Sequence, residues 1–185
     1  IPELEGDDSS LYYAGLDTAY GNSGDYLVCS IFKAVYTEDG LEQYHLVHQY
    51  RKNKNTMNGY VFDLVELFNQ FNVWMVSVES NAGGKLFIDE LSRVFPNATY
   101  HSVVTTRNSK EAMLEGIKLL IERDLLKLPS DTRFCKQTAK EMLAYSKDEN
   151  GRYSGGKITD DTVMSLAVGV DALLEYGLGR GKQAM

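Results

Sequence analysis

Apolar residues recur along this chain with two different periods, and the change of period marks out its elements. Leu11–Thr18 (LYYAGLDT) is apolar until it ends on an aspartate, and the glycine-bearing turn AYGNSGD follows. Tyr26–Tyr36 and Glu42–Tyr50 are rich in β-branched and aromatic residues, and the Asp39–Gly40 pair between them is a hairpin signal. Three consecutive antiparallel strands are therefore expected at the start. Val61, Leu64, Val65, Phe68 and Phe71 then recur at helical spacing, which predicts a helix from about Asn58 to Asn72. Val73–Glu79 (VWMVSVE) is a short apolar run, the pattern of a strand covered on both faces. Phe87, Leu91, Val94 and Phe95 mark a second helix, stopped by Pro96–Asn97, and Ala98–Val104 reads as a strand. Ser109 is a candidate cap for a helix to about Asp124, and Leu125–Leu128 is a candidate short strand. A helix near Thr132–Leu143 leads to a hairpin, Tyr145–Ile158, turning at Glu149–Asn150–Gly151. The last element, from about Thr159 to Tyr176, places Val163, Leu166, Ala167, Val170 and Leu174 on one stripe.

The order β-β-β-α-β-α-β followed by further helices implies an α/β fold: a mixed sheet flanked by helices on both faces. It is the order of the ribonuclease H-like (RuvC/integrase-like) fold. Residues 1–10 are polar and acidic and read as a linker remnant, leaving residues 11–185 as one domain. The chain opens on Ile1 rather than Met, so it is expected to be a piece of a longer protein.

Composition changes this picture little. Forty-three per cent hydrophobic and 24% charged residues describe an ordinary globular chain. No apolar run approaches the roughly 20 residues that span a bilayer, and no signal peptide opens the chain. Cys29 and Cys135 fit no zinc spacing and are expected as two buried thiols in a reducing cytoplasm. Charge matters more. Nineteen basic against 26 acidic residues give −7, which argues against nucleic acid at first sight. Glu3, Glu5, Asp7 and Asp8 of the linker supply four of those acids, and a carboxylate site filled by cations would neutralise others.

Three acidic positions stand out by where they fall. Asp17 ends the first strand, Glu79 ends the buried strand before a Gly83–Gly84 turn, and Asp160–Asp161 open the last helix. Carboxylates beside apolar strands are costly to bury without a partner, and a divalent cation is the economical one. Mg²⁺ or Mn²⁺ suits all-oxygen ligands, whereas His45, His48 and His101 are too scattered for zinc. Two such ions about 4 Å apart can hold the attacking water and leaving oxygen of a phosphodiester in line. Asp17 is the natural bridging ligand, with Glu79 on one ion and the helix aspartates on the other. Each acid also has a structural alternative: Asp17 as a turn residue, Glu79 paired with a distant base, and one of Asp160 and Asp161 as an N-cap. Asp25 is a candidate for orienting a metal-bound water or a turn amide. The GNSG turn lacks the GK[ST] ending of a phosphate loop.

The motifs GLDTAYGNSGDY (Gly15–Tyr26), VSVESNAGG (Val76–Gly84) and ITDDTVMSLA (Ile158–Ala167) resemble the C-terminal nuclease domain of tailed-bacteriophage terminase large subunits. The resemblance covers nearly the whole chain after the linker. It implies metal-binding roles for Asp17, Glu79 and the Asp160–Asp161 pair, and the cutting of concatemeric viral DNA during packaging in the host cytoplasm. An N-terminal ATPase domain, a small terminase subunit and a portal protein are the partners it implies. Thr159 stands where many relatives carry histidine, and Met164 where some carry a further aspartate, which suggests the branch whose middle acid is Glu. The hairpin Tyr145–Ile158 resembles a segment at the active-site mouth.

Double-stranded DNA should be held through its phosphates. Arg51, Lys52 and Lys54 form the densest basic run, Arg107 and Lys110 the next, and Lys85 follows the Glu79 turn. Two other readings compete: another ribonuclease H-like nuclease, such as a Holliday-junction resolvase or a recombinase, and a non-catalytic metal-binding module. A glycosidase-like carboxylate pair lacks a Trp-rich sugar platform, since the one Trp lies in the buried run.

Overall fold

A computed structural model of the chain describes residues 2–18, 26–130, 133–147, 153–154 and 160–177. Its centre is a six-stranded mixed sheet in the order β5-β4-β1-β2-β3-β6. Strands β1 (Tyr12–Thr18), β2 (Leu27–Tyr36) and β3 (Glu42–Lys52) form the expected antiparallel meander. Strands β4 (Val73–Glu79) and β5 (Thr99–Val103) then add in parallel beside β1, and β6 (Leu126–Lys127) pairs in parallel with β3. Helices cover both faces, and the fold is the α/β ribonuclease H-like one that the element order predicts.

Period-two alternation sends the two sides of each strand into different cores. Tyr12, Ala14, Leu16, Cys29, Val76 and Val78 pack under α1 (Met57–Gln70) and α2 (Gly84–Val94). Tyr13, Phe32 and Met75 pack on the opposite face, under α3 (Arg107–Glu122) and α5 (Asp161–Ala172). Helix α4 (Arg133–Ala144) lies against α5, and short strands β7 (Ser146–Lys147) and β8 (Tyr153–Ser154) pair antiparallel after it. The expected Glu149–Asn150–Gly151 turn lies outside the described residues.

Two expectations change in detail. Helix α3 is capped by Thr106, not Ser109; Ser109 sits three residues on and completes a capping box, its hydroxyl accepting from the Thr106 N–H at 2.8 Å. The last helix carries no single apolar stripe. Thr162 to Val170 are all buried, because β1, β2 and β4 lie beneath α5 while α3 and α4 cover its other sides. Leu174, expected on the stripe, is partly exposed in the π-helical turn Leu173–Gly177.

Burying α5 this deeply needs a close approach to β1, and glycine provides it at both contact points. A Cβ on Gly15 would sit 2.3 Å from the Ser165 carbonyl oxygen and 2.6 Å from Gly169 Cα. A Cβ on Gly169 would meet the Phe32 ring at 2.4 Å. Only bare backbone fits there.

Residues 2–10 lie against the domain: the Glu3 N–H donates to the Val47 carbonyl at 3.0 Å and the Gly6 N–H to Gln70 at 2.9 Å. Lys33 clasps Glu3 and Asp7 at 2.8 and 2.6 Å. Cys29 and Cys135 are buried free thiols. Among the described residues no helix is long and apolar enough to cross a membrane.

Candidate metal centre

The strand alternation that builds the two cores also gathers polar residues on the α5 side. Gly15 and Asp17 of β1, Ser77 and Glu79 of β4, Ser30 of β2, and Gln49 and Arg51 of β3 share that face. Because β1 and β4 run parallel with Leu16 opposite Val78, Asp17 and Glu79 reach the same sheet edge side by side. That edge is formed by the C-terminal ends of parallel strands, where α/β sheets present their sites.

Asp17 is 6% exposed. Burial raises its carboxyl well above the usual carboxylate value; the Glu79 carboxyl, near enough to share a proton, raises it further, as do the charges of Asp161 and Asp160. Neither Asp17 nor Glu79 forms an ion pair among the described residues. Around them the chain fixes geometry. Asn81 donates to Glu79 Oε1 at 3.3 Å and to the Thr105 carbonyl at 2.7 Å, and the Thr18 hydroxyl donates to the Glu79 carbonyl at 3.0 Å. Gly83, at φ 111°, turns the chain into α2, and a Cβ on Gly84 would lie 2.0 Å from the Glu79 carbonyl oxygen. This turn accepts only glycine, which accounts for the Gly83–Gly84 pair.

The aspartate pair divides. Asp161, the first residue of α5, is 6% exposed, and its charge acts on Asp17 more strongly than that of Asp160. Arg51 approaches Asp161 at 4.0 Å with its guanidinium 3.3 Å over the Tyr26 ring centroid. Asp160 takes the N-cap position, but its side chain makes no capping bond; it holds Lys110 and the Tyr145 hydroxyl. Burial alone would raise the Asp160 carboxyl, and Lys110 and Tyr145 outweigh it and hold it below the usual value.

Glu141 of α4 does the capping instead. One of its carboxylate oxygens accepts from the Thr162 N–H at 2.9 Å, the Val163 N–H at 3.3 Å and the Thr162 hydroxyl, and its other oxygen accepts from Gln137 at 2.8 Å. Glu141 is 1% exposed. It passed unnoticed in the sequence, although a carboxylate on the buried Cys135–Thr138–Glu141 side of an amphipathic helix is a readable signal. Below it, Thr138, Gln49, Ser30 and Ser165 form a buried hydrogen-bonded chain, with the Ser30 and Ser165 hydroxyls 2.6 Å apart.

The donor set suits a hard divalent cation: oxygen ligands, buried at Asp17 and Asp161 and half-buried at Glu79, and without a paired base at Asp17 or Glu79 among the described residues. The expected carboxylates do not close into a single tight cage. Among the described residues, His101, Asp171 and Glu175 are the group whose ligand atoms all lie within 4.8 Å of one another. They stand at the other end of α5, ten residues or about 15 Å from Asp161.

The basic residues scatter. Strand alternation separates Arg51, on the carboxylate side, from Lys52, which pairs with Asp63 of α1 at 2.7 Å. Lys54, Lys85 and Arg107 are exposed, and Lys110 is committed to Asp160. Asp25 lies outside the described residues.

The geometry defines a ribonuclease H-like domain with acidic side chains converging at the C-terminal edge of its parallel strands. Residues 14–173 match the family model of the terminase RNaseH-like domain, and the chain belongs to that family. Among solved structures, the large terminase nuclease from thermophilic phage G20c with bound cobalt is similar at 22% identity and TM-score 0.68, covering 90% of this chain and 84% of that one. The Thermus phage P74-26 large terminase nuclease domain is similar at 21% identity and TM-score 0.69, covering 93% and 84%. The HK97 bacteriophage large terminase is 11% identical at TM-score 0.65, covering 92% of this chain and 41% of that one. No curated protein matches the chain.

Proposed function

We propose that this terminase nuclease domain is a metal-dependent endodeoxyribonuclease that cuts concatemeric viral DNA during genome packaging. The observation that carries the reading is the convergence of Asp17, Glu79 and Asp161, with no paired base at the first two among the described residues. Family membership gives that convergence its chemical meaning. Asp17, Glu79 and Asp161 would hold two divalent cations, Mg²⁺ or Mn²⁺. Such a pair, when bound, supplies activation of a water and charge neutralisation at the leaving 3′ oxygen.

The chain's own residues do the rest. Asn81 holds the Glu79 carboxylate in orientation, and Glu141 fixes the start of α5 so that Asp161 keeps its place. Lys110 and Tyr145 hold Asp160 at the rim, where the lysine can also meet a phosphate oxygen. Divalent-metal use agrees with the cobalt- and magnesium-bound states of the G20c nuclease. The HK97 large terminase is more than twice the length matched here, in keeping with an ATPase domain as covalent partner. A small terminase subunit and a portal protein would be further partners, in the host cytoplasm.

Supercoiled plasmid tests the reading. Nicking and linearisation are expected with Mg²⁺ or Mn²⁺, none with EDTA, and none from folded Asp17→Ala or Glu79→Ala. Cleavage that survives both substitutions would overturn the site assignment. A strong preference for four-way junctions over linear duplex would favour the resolvase reading instead.

A further inference from the structure

Beside the carboxylates runs a groove of about 650 Å³ whose lining includes Gln49, Arg51, Arg133, Lys136, Gln137 and Lys140. Among the described residues that line it none is acidic, in a chain of net charge −7. Four cations collected without a carboxylate among them run against the composition of the whole molecule. Two elements build the groove. From β3 come Gln49 and Arg51, the latter 4.0 Å from Asp161. From α4 come Arg133, Lys136 and Lys140, spaced i, i+3 and i+7 and so aligned on one helix face.

Helix α4 is a firm base for such a row. Its inner face is fixed twice: the Thr138 hydroxyl donates to Gln49 Oε1 at 3.2 Å, and Glu141 caps α5. The outer face is thereby directed to solvent, with Arg133, Lys136 and Lys140 all exposed. Seven residues of helix span about 10 Å, the axial rise of three nucleotides of one strand at about 3.4 Å each.

We infer that this groove is the track for one phosphate backbone of duplex DNA, leading it past Arg51 to the carboxylates. The inference rests on the nuclease reading for its choice of ligand. The row aligns phosphates, while Arg51, stacked on Tyr26, sits where the track meets Asp161. The basic run of the sequence, Arg51 to Lys54, obscures this arrangement, because three of the four cations come from a helix some 80 residues later.

The test measures binding of a labelled DNA duplex by anisotropy over a salt series, in EDTA so that no cutting intervenes. The wild-type chain is compared with the triple variant Arg133→Gln, Lys136→Gln, Lys140→Gln. A control of equal charge change, Arg93→Gln, Lys118→Gln, Lys127→Gln, alters lysines and an arginine that pair with carboxylates elsewhere on the surface. Circular dichroism melts establish that all three proteins are folded. The groove variant should bind at least about tenfold more weakly, and its log K against log salt slope should flatten by about 2.7 if all three contact phosphates, at about 0.9 per contact. The control should bind like wild type.

Equal loss in both triple variants, an unchanged groove variant, or no measurable wild-type binding at low salt would each overturn the proposal. Cleavage by the wild-type protein in Mg²⁺ or Mn²⁺ is scored separately. A wild-type chain that cuts while the groove variant binds and cuts equally well refutes the track and leaves the nuclease. A groove variant that loses affinity when the wild type never cuts supports the track and removes the nuclease reading.

Discussion

Substituting Gly15 by Ala should damage the carboxylate site without touching a carboxylate. The added Cβ would fall 2.3 Å from the Ser165 carbonyl oxygen and 2.6 Å from Gly169 Cα, both backbone atoms of a helix buried on every side. Ordinary carbon–carbon contact begins at about 3.5 Å, so β1 and α5 must separate by about 1 Å. Overpacking of this kind costs about 1–3 kcal/mol of stability. The greater effect is on function, because Asp17 lies two residues along β1 and Asp161 opens α5. A displacement of about 1 Å in reacting groups can lower a rate by about 10²-fold. Denaturant unfolding, plasmid cleavage and a Mn²⁺ titration would be read on the same preparation. Gly116→Ala is the matched control: its Cβ meets only Leu174 Cδ1, at 3.2 Å, and mid-helix alanine gains up to about 1 kcal/mol over glycine. A folded Gly15→Ala protein with wild-type stability and cleavage would refute the argument that this contact sets the site.

Other predictions follow from the electrostatics. The folded state binds the Asp17 proton more tightly than the unfolded chain, so the metal-free protein should lose stability as pH rises from the usual carboxylate value of 3.8 through the raised one. Asp17→Asn removes that slope: chemical denaturation in EDTA should find the variant the more stable protein at high pH, with the gap closing in acid, and a gap independent of pH would contradict this. Glu141→Gln keeps an acceptor but loses the charge at the α5 N-terminus, and should lower unfolding free energy by about 1–2 kcal/mol; Glu141→Ala, which strands two backbone donors, should cost more, and equal effects of the two would count against a capping role. Asp161→Asn should reduce cleavage by about 10²-fold or more and Asp160→Asn by less, the loss expected when a metal ligand rather than a rim residue is removed; the reverse order would exchange their roles.

Much of this architecture is legible in the chain because it rests on local period. The apolar run Val73–Glu79 becomes β4 with the same bounds, although Trp74, expected inside a buried run, is exposed, and the meander follows the Asp39–Gly40 turn. Asp17 and Glu79 are legible for the same reason: each polar residue closes an apolar strand, and the sheet sets them on neighbouring parallel strands. What escaped depends on contacts across the fold. Glu141 meets Thr162 over 21 residues, and no local pattern says that a glutamate of one helix caps another. The basic groove is hidden likewise, because its cations come from two separate elements and strand alternation sends the adjacent Arg51 and Lys52 to opposite faces. Helix α5 read as amphipathic because Val163, Leu166 and Val170 fall on one stripe, yet the small or satisfied residues between them, Ser165, Ala167 and Gly169, let neighbours cover the remaining sides.

The assignment of the cap to Glu141 bears on the strongest competing reading, that the Asp160–Asp161 pair merely starts a helix. A helix start needs its free N–H groups satisfied once. Here a buried glutamate from α4 takes the Thr162 and Val163 donors, and neither aspartate is required for that purpose. Asp160 is spent on Lys110 and Tyr145, while Asp161 is buried beside Arg51 with its charge acting on Asp17. A domain needing only structure would lose nothing by replacing Asp17 or Glu79 with a neutral residue, and would shed the repulsion between them. Keeping a buried and a half-buried carboxyl side by side at a sheet edge is favourable only if something positive enters, because an ion taken out of water without a partner costs several kcal/mol. Oxygen-only donors would suit a hard divalent cation as that partner. Its affinity should therefore fall in acid, as protons compete for the carboxyl that the fold holds above its usual value.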